Sequence, residues 1–294
     1  MYIYNNSEPD NVVKLSLLLQ RQMKRRKAMI KNNNIKNNYW FIFYNDQLLL
    51  EKKNGKYLIP FTTGTPVTEN INTPILNVPA ENNKNKTFGI SRPEGIPEQY
   101  EWIGLRASYD YIPSESYKTA GKAFEILHWD KNSRFCPVCG TPMKQISDIT
   151  KQCPACKKEL YPSISTAILV LIRKGNSILL VHARNFKGTF NSLVAGFLET
   201  GESLEECVAR EVMEETGLKI KNITYFGSQP WPYPSGLMVG FIADYQNGDI
   251  RLQEEELSSG AFYTRDNLPE LPRKLSLARK MIDWWIEQTD AGIK

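Results

Sequence analysis

The chain has 294 residues, long for one domain and comfortable for two or three, and its 41% hydrophobic and 23% charged residues are the proportions of a soluble globular protein. A formal net charge of +5 is small for this length, so it admits an anionic substrate or a nucleic acid and demands neither. The longest early apolar run, Leu15–Leu19 interrupted by Ser16, is far too short to span a bilayer, and "MYIYNNSEPD" lacks the regions of an export signal; the expectation is a cytoplasmic protein without membrane contact whose five cysteines stay reduced.

Residues 14–38, "KLSLLLQRQMKRRKAMIKNNNIKNN", read as a solvated basic helix followed by a loop, with an RNA-contacting stripe as the sharper alternative. "YWFIFYNDQLLLE" predicts two strands about Asn45-Asp46, "KKNGKYLIP" a second turn at Asn54-Gly55, and "QYEWIGLRA" a further strand. In "SESYKTAGKAFEILHW", Tyr117, Ala120, Phe124 and Leu127 recur at helical spacing. An α+β N-terminal domain is therefore expected over 1–130, a small cysteine-bearing unit over 131–162, and a third domain over 163–294. In the third, "SISTAILVLIRKGNSILLVHAR" gives two strands about Lys174-Gly175-Asn176, and "KLSLARKMIDWWIEQ" a closing helix with Leu275, Ala278, Ile282 and Trp285 on one stripe. No internal repeat is visible in the sequence.

The middle unit reads "CPVCGTPMKQISDITKQCPAC". Cys136 and Cys139 form one CxxC and Cys153 and Cys156 another, thirteen residues apart. Each knuckle aims two thiolates at one point, and two knuckles complete the tetrahedral shell that Zn²⁺ takes, leaving no open position for water. The zinc is thus expected to be structural. Cys207, the fifth cysteine, reads as a small core residue.

The stretch "GFLETGESLEECVAREVMEETGL", residues 196–218, carries the chemistry. Ser203 and Glu206 make a capping box and Gly217 is a helix-ending residue, so a helix is expected over about 203–216. At roughly 100° per residue, Glu211, Glu214 and Glu215 share one arc and continue the inward stripe of Leu204, Cys207 and Val208. Acids at the C-terminal end of a helix repel its dipole and one another. A solvated acidic face should lie opposite the apolar stripe, whereas these lie along it, as ligands for hard divalent ions such as Mg²⁺ or Mn²⁺ would.

This stretch resembles the Nudix box, Gly-x₅-Glu-x₇-Arg-Glu-U-x-Glu-Glu-x-Gly-U with U aliphatic, at Gly196, Glu202, Arg210, Glu211, Val212, Glu214, Glu215, Gly217 and Leu218. Beyond it, "GSQPWPYPSGLMVGF" reads from composition either as a stiff loop presenting ring faces or as a packed turn. It is similar to the SQPWPFPxS signature of NADH pyrophosphatases in the Nudix superfamily, matching at Ser228, Gln229, Pro230, Trp231, Pro232 and Pro234. Tyr233 replaces the phenylalanine, and Gly236 stands where the last serine would be, with Ser235 one place early.

The resemblance implies an N-terminal domain, a zinc ribbon and an α/β/α sandwich Nudix domain, in that order, and hydrolysis of the pyrophosphate of NADH or NAD⁺ to nicotinamide mononucleotide and AMP. It implies that Glu211, Glu214 and Glu215 hold Mg²⁺ or Mn²⁺ and that Arg210 orients a glutamate, with Glu202 also in the box. Glu256 fits best as a further ligand, Glu255 and Glu254 being alternatives of register. Phe197 would stack on the adenine, with Tyr161 from the second subunit of a homodimer closing the other side; Gln229, Trp231, Tyr233 and Ser235 would meet substrate. NAD-capped RNA decapping, or a broader dinucleotide pyrophosphatase, breaks the same bond, and the basic segment 21–27 favours RNA access. A non-catalytic zinc-ribbon binding protein is the reading from another class, and an intact box argues against it. His128 and His182 read as structural.

Overall fold

The computed structural model describes residues 37–290 apart from 69 and 81–84. The basic segment 21–27 and the helix expected around it lie outside the described residues. The N-terminal sheet holds β1 (Asn38–Tyr44), β2 (Gln47–Lys53), β3 (Lys56–Leu58), β4 (Phe61–Thr62), β5 (Leu76–Asn77), β6 (Asn85–Gly89) and β7 (Tyr100–Gly104), followed by helix α1 (Ser114–Asn132). A small sheet follows, of β8 (Lys144–Ser147), β9 (Thr150–Gln152) and β10 (Glu159–Leu160). The third unit runs β11 (Ser165–Lys174), β12 (Ser177–Ala183), β13 (Val194–Phe197), α2 (Leu204–Thr216), β14 (Lys219–Trp231), β15 (Gly236–Asn247), β16 (Leu257–Thr264) and α3 (Leu277–Asp290).

The third unit is a mixed sheet between two helical layers. Its strand order is β14-β15-β11-β12-β16, with β13 paired to β11 and with β11 and β15 parallel from Ser165↔Gly236 to Arg173↔Asp244. Side chains alternate faces along a strand. Ile168, Val170 and Ile172 of β11 pack with Cys207, Val208 and Val212 of α2 on one face, while Leu169 and Leu171 pack with Ala278, Met281 and Ile282 of α3 on the other. Both faces being covered, β11 reads as an unbroken apolar run, the usual mark of a doubly buried strand. Trp285 is core, as expected for that stripe; Leu275 instead precedes α3 and joins the N-terminal cluster.

The absence of a sequence repeat does not carry over to the fold. The N-terminal sheet has the order β5-β6-β1-β2-β7, with β4 on β1 and with β1 and β6 parallel. Strand for strand this is the order of the third unit, closed in each by a helix, with β3 as an addition. The difference lies between β4 and β5, where the segment occupying the place of α2 has no helix among its described residues. Pairing topology is set by which strands are apolar and how they connect, so two sequences can share it without sharing residues. Among its described residues the N-terminal unit thus keeps the scaffold without the glutamate-bearing helix.

The units dock through specific contacts. Lys151 of β9 and Asp130 of α1 are both about 5% exposed and form an ion pair of 2.6 Å, and Lys151 Nζ donates to the Asp130 carbonyl at 3.0 Å. Pro232 sits against Gly121 of α1, where an added Cβ would come within 2.9 Å of its Cγ. The Tyr117 and Tyr233 hydroxyls are hydrogen-bonded, and Arg273 pairs with Asp110.

Candidate functional site: a glutamate cluster at the end of helix α2

Helix α2 begins where the sequence predicts. Ser203 Oγ accepts from the Glu206 amide at 3.3 Å, the Glu206 carboxylate accepts from the Ser203 amide at 2.8 Å, and Gly217, at φ 71°, ends the helix. Such a cap contributes about 1 kcal/mol. With Cys207, Val208 and Val212 held against the sheet, the same face carries Glu215 inward at the far end.

The three acids of the arc are not equivalent. Glu215 is 3% exposed, the Glu211 side chain is 13% exposed, and that of Glu214 is 54% exposed. Arg210 explains the division. Its guanidinium binds Glu202 (Nη2 to Oε2, 3.0 Å), Glu211 (3.0 Å) and Glu214 (3.0 Å), and Nη2 also donates to the Phe197 carbonyl at 3.1 Å. One cation thus organises three carboxylates and ties the helix to the end of β13. Its pull holds Glu202 down at about 2.

Glu215 has no such help. Among the described residues no cation or hydrogen-bond donor reaches its carboxylate. Burial first, then the charges of Glu211, Glu256 and Glu214, push it up to about 8. Burial likewise raises Glu211, against the pull of Arg210. Of the acidic run 254–256, Glu256 is the residue whose charge acts on both Glu211 and Glu215. The run is fastened to the helix end by Gln253 N donating to Glu215 O at 3.0 Å and Arg251 N to Thr216 O at 2.8 Å. A buried carboxylate without a donor, ringed by acids, is costly in an apoprotein and is the arrangement a bound hard cation relieves. Among the described residues only the four ribbon cysteines bring their donor atoms within 4.8 Å of one another, so the carboxylates of Glu211, Glu214, Glu215 and Glu256 offer oxygen donors without forming a closed shell.

Glu215, Glu255 and Glu256 face a cleft of about 300 Å³ with Arg184, Asn185 and Phe186 at its rim. Sequence reading passed over Arg184 and Phe186. The available signal was a charged and an aromatic residue directly after a β-strand, where ligand sites of open sheets gather. His182, two residues before Arg184, contacts the Phe190 carbonyl at 2.8 Å through Nδ1, and His128 contacts Asn132.

The remaining expected site residues are dispersed. Phe197 ends β13 and is 65% exposed, and Tyr161, 56% exposed, donates to Glu159 at 2.6 Å; the two rings do not stack on each other within the chain. In the loop expected at the substrate, two polar side chains bond to the protein's own carbonyls. Gln229 Nε2 donates to the Leu275 carbonyl at 2.9 Å, and Ser235 Oγ to that of Ser163 at 2.8 Å. Trp231 and Tyr233 pack on the N-terminal cluster, with the Arg106 guanidinium over both rings at 5.1 and 4.5 Å. Of the two readings of this loop, the packed turn describes its contacts. At Gly236, the departure from the signature, a Cβ would lie 3.0 Å from the Trp231 carbonyl.

The four ribbon cysteines converge. Sγ–Sγ distances are 3.5 Å for Cys136–Cys156 and Cys139–Cys153 and 3.6 Å for Cys139–Cys156, and no disulfide is formed. A tetrahedron with Zn–S near 2.3 Å requires sulfurs roughly 3.8 Å apart, so the set fits zinc. The two knuckles are built alike. Gly140 N donates to Cys136 O at 2.9 Å and Lys157 N to Cys153 O at 3.0 Å, with φ of 71° and 64° at those two residues. Cys207 is fully buried, and burial raises its thiol to about 11.

Comparison with known proteins matches three consecutive family models. These are the NADH pyrophosphatase-like rudimentary NUDIX domain at residues 37–129, the NADH pyrophosphatase zinc ribbon domain at 131–161, and the NUDIX domain at 162–285. Among similar curated proteins is the NAD-capped RNA hydrolase NudC of Chromobacterium violaceum, 42% identical over 62% of this chain and 69% of that protein. Those of Haemophilus influenzae (strain PittEE) and Pseudomonas aeruginosa (strain LESB58) are 41% and 40% identical, over 67% and 63% of this chain and 76% and 67% of theirs. With the box, the ribbon and the rudimentary N-terminal sheet all in place, the chain belongs to the Nudix hydrolases, in the subgroup of NADH pyrophosphatases with a zinc ribbon.

Proposed function

We propose that this protein hydrolyses the pyrophosphate bond of NADH or NAD⁺, giving nicotinamide mononucleotide, reduced or oxidised, and AMP, with Mg²⁺ or Mn²⁺ at the glutamate cluster. The observation that carries it is Glu215: a buried carboxylate without a donor, surrounded by three more acids, at the wall of an open cleft. When bound, the divalent ions neutralise charge developing on the phosphates and lower the pKa of a bound water. Glu211, Glu214, Glu215 and Glu256 supply the ligands. Arg210 and Glu202 hold Glu211 and Glu214 in place, which spares reorganisation during the reaction.

Phe197, exposed beside the box, stacks the adenine; Tyr161 of the second subunit of a homodimer covers the other face. Gln229, Trp231, Tyr233 and Ser235 act from a loop whose shape their protein contacts fix. Decapping of NAD-capped RNA is the second reading, favoured by the names of the relatives and by the open cleft. The test is turnover of NADH, NAD⁺ and an NAD-capped RNA by zinc-loaded protein with Mg²⁺ or Mn²⁺. AMP from NADH supports the first reading, and cleavage of the capped RNA alone transfers the function to the second. No cleavage of any of them, by folded protein, refutes both.

A further inference from the structure

Arg184 follows the last residue of β12, beyond the irregularity in pairing between His182 and Ala183. Its backbone amide donates to the Glu256 carbonyl at 2.8 Å and its Nε to the Glu254 carbonyl. Both bonds tie it to the turn that Gln253 fastens to Glu215. The guanidinium is therefore aimed from its Nε side, while Nη1 and Nη2 make no hydrogen bond or ion pair among the described residues. Arg184 lines the same cleft as Glu215, Glu255 and Glu256 and pairs with none of their carboxylates. Arg210 does the opposite, spending its guanidinium on three glutamates.

An anchored guanidinium with two free nitrogens, beside acids that divalent ions would occupy, matches one kind of ligand. That ligand is an anion with paired oxygens that also bridges to the ions. We propose that Arg184 grips non-bridging oxygens of the substrate's pyrophosphate through Nη1 and Nη2. The planar fork suits two phosphate oxygens; the backbone bond to the Glu256 carbonyl fixes the residue's position, and the Nε bond to the Glu254 carbonyl reduces the side-chain freedom lost on binding. Hydrolysis adds negative charge to each phosphate as the bridge is cut, so the contact strengthens toward products and contributes to the transition state. The inference rests on the reading of the glutamate cluster as the metal site.

The test uses the full-length, zinc-loaded protein and inorganic pyrophosphate as probe, by calorimetry with Mn²⁺ present. Arg184→Ala should weaken pyrophosphate binding by about 10- to 100-fold, the loss of one charge-assisted contact. Arg184→Lys, which keeps the charge and loses the fork, should fall between. Inhibition by AMP should weaken by about tenfold or more in Arg184→Ala while inhibition by adenosine stays unchanged, a split that a merely structural role would not produce. Pyrophosphate affinity equal to wild type in a folded Arg184→Ala protein overturns the proposal. So does equal weakening for AMP and adenosine. If wild type binds pyrophosphate through Arg184 yet cleaves no NADH, the functional reading falls and this one stands; if NADH is cleaved equally well without Arg184, this one falls alone.

Discussion

Gly196 and Glu211 meet so closely that no side chain fits between them: a Cβ at residue 196 would lie 1.9 Å from Glu211 Cδ. The backbone of β13 is the surface on which that carboxylate rests. What the glycine of the box provides here is room for a ligand, since its φ lies outside the left-handed region.

Gly196→Ala should therefore move Glu211 without unfolding the domain, because the displaced group is the end of a flexible side chain. The expected result is a loss in kcat/KM of about 100-fold, as for a displaced catalytic group, with thermal stability nearly unchanged. Wild-type kcat/KM in this variant would show that the position of Glu211 is immaterial.

Glu215 should leave a signature in stability against pH. Its folded-state pKa of about 8 lies above the ordinary 4.5, so the native protein holds this proton more tightly than the unfolded chain. Its contribution is full below about pH 4.5 and is lost as pH rises through about 8. With zinc loaded and no Mg²⁺ or Mn²⁺, Tm should fall across that window more steeply in wild type than in Glu215→Gln. Added Mn²⁺ should restore wild type and leave the variant unmoved. Identical pH profiles for the two proteins would contradict this.

The Lys151–Asp130 pair joins ribbon and helix α1 out of water. Lys151→Met leaves Asp130 charged and buried, at a cost of about 3–5 kcal/mol. The double variant Lys151→Met, Asp130→Leu removes the stranded charge and should recover much of that loss, measured by denaturant unfolding. A single variant as stable as wild type would mean that the pair contributes nothing to docking.

The knuckle residue Lys157 holds φ 64°, where its counterpart is Gly140. Left-handed backbone costs a non-glycine residue about 1–2 kcal/mol, part of which glycine returns as lost freedom. Lys157→Gly should stabilise the ribbon by about 0.5–1 kcal/mol net, read as slower zinc loss to a chelator. Faster loss would refute it.

Much of this site was legible because one helix carries it. Ser203, Gly217 and the spacing of Glu211, Glu214 and Glu215 fix the cap, the end and the face. Helical spacing alone could not show that the Glu214 side chain stays 54% exposed while pairing with Arg210 one turn earlier. The contacts of Trp231 and Tyr233 were beyond reach because their partners, Tyr117 and Arg106, are more than a hundred residues away in sequence. Arg184 escaped for a similar reason: its meaning comes from carbonyls 254 and 256, which no local pattern connects to it. The repeated strand order of the N-terminal sheet is a property of pairing, with no shared motif to betray it.

The most direct test of the central claim is hydrolysis of NADH in ¹⁸O-labelled water by zinc-loaded wild type and Glu215→Gln, with products weighed by mass spectrometry. The account predicts AMP and reduced nicotinamide mononucleotide in equal amounts, one ¹⁸O per bond cut, only with Mg²⁺ or Mn²⁺ present. It predicts turnover lower by orders of magnitude in Glu215→Gln, whose fold and zinc content stay intact. Products without a divalent ion, or undiminished turnover in the variant, would contradict it.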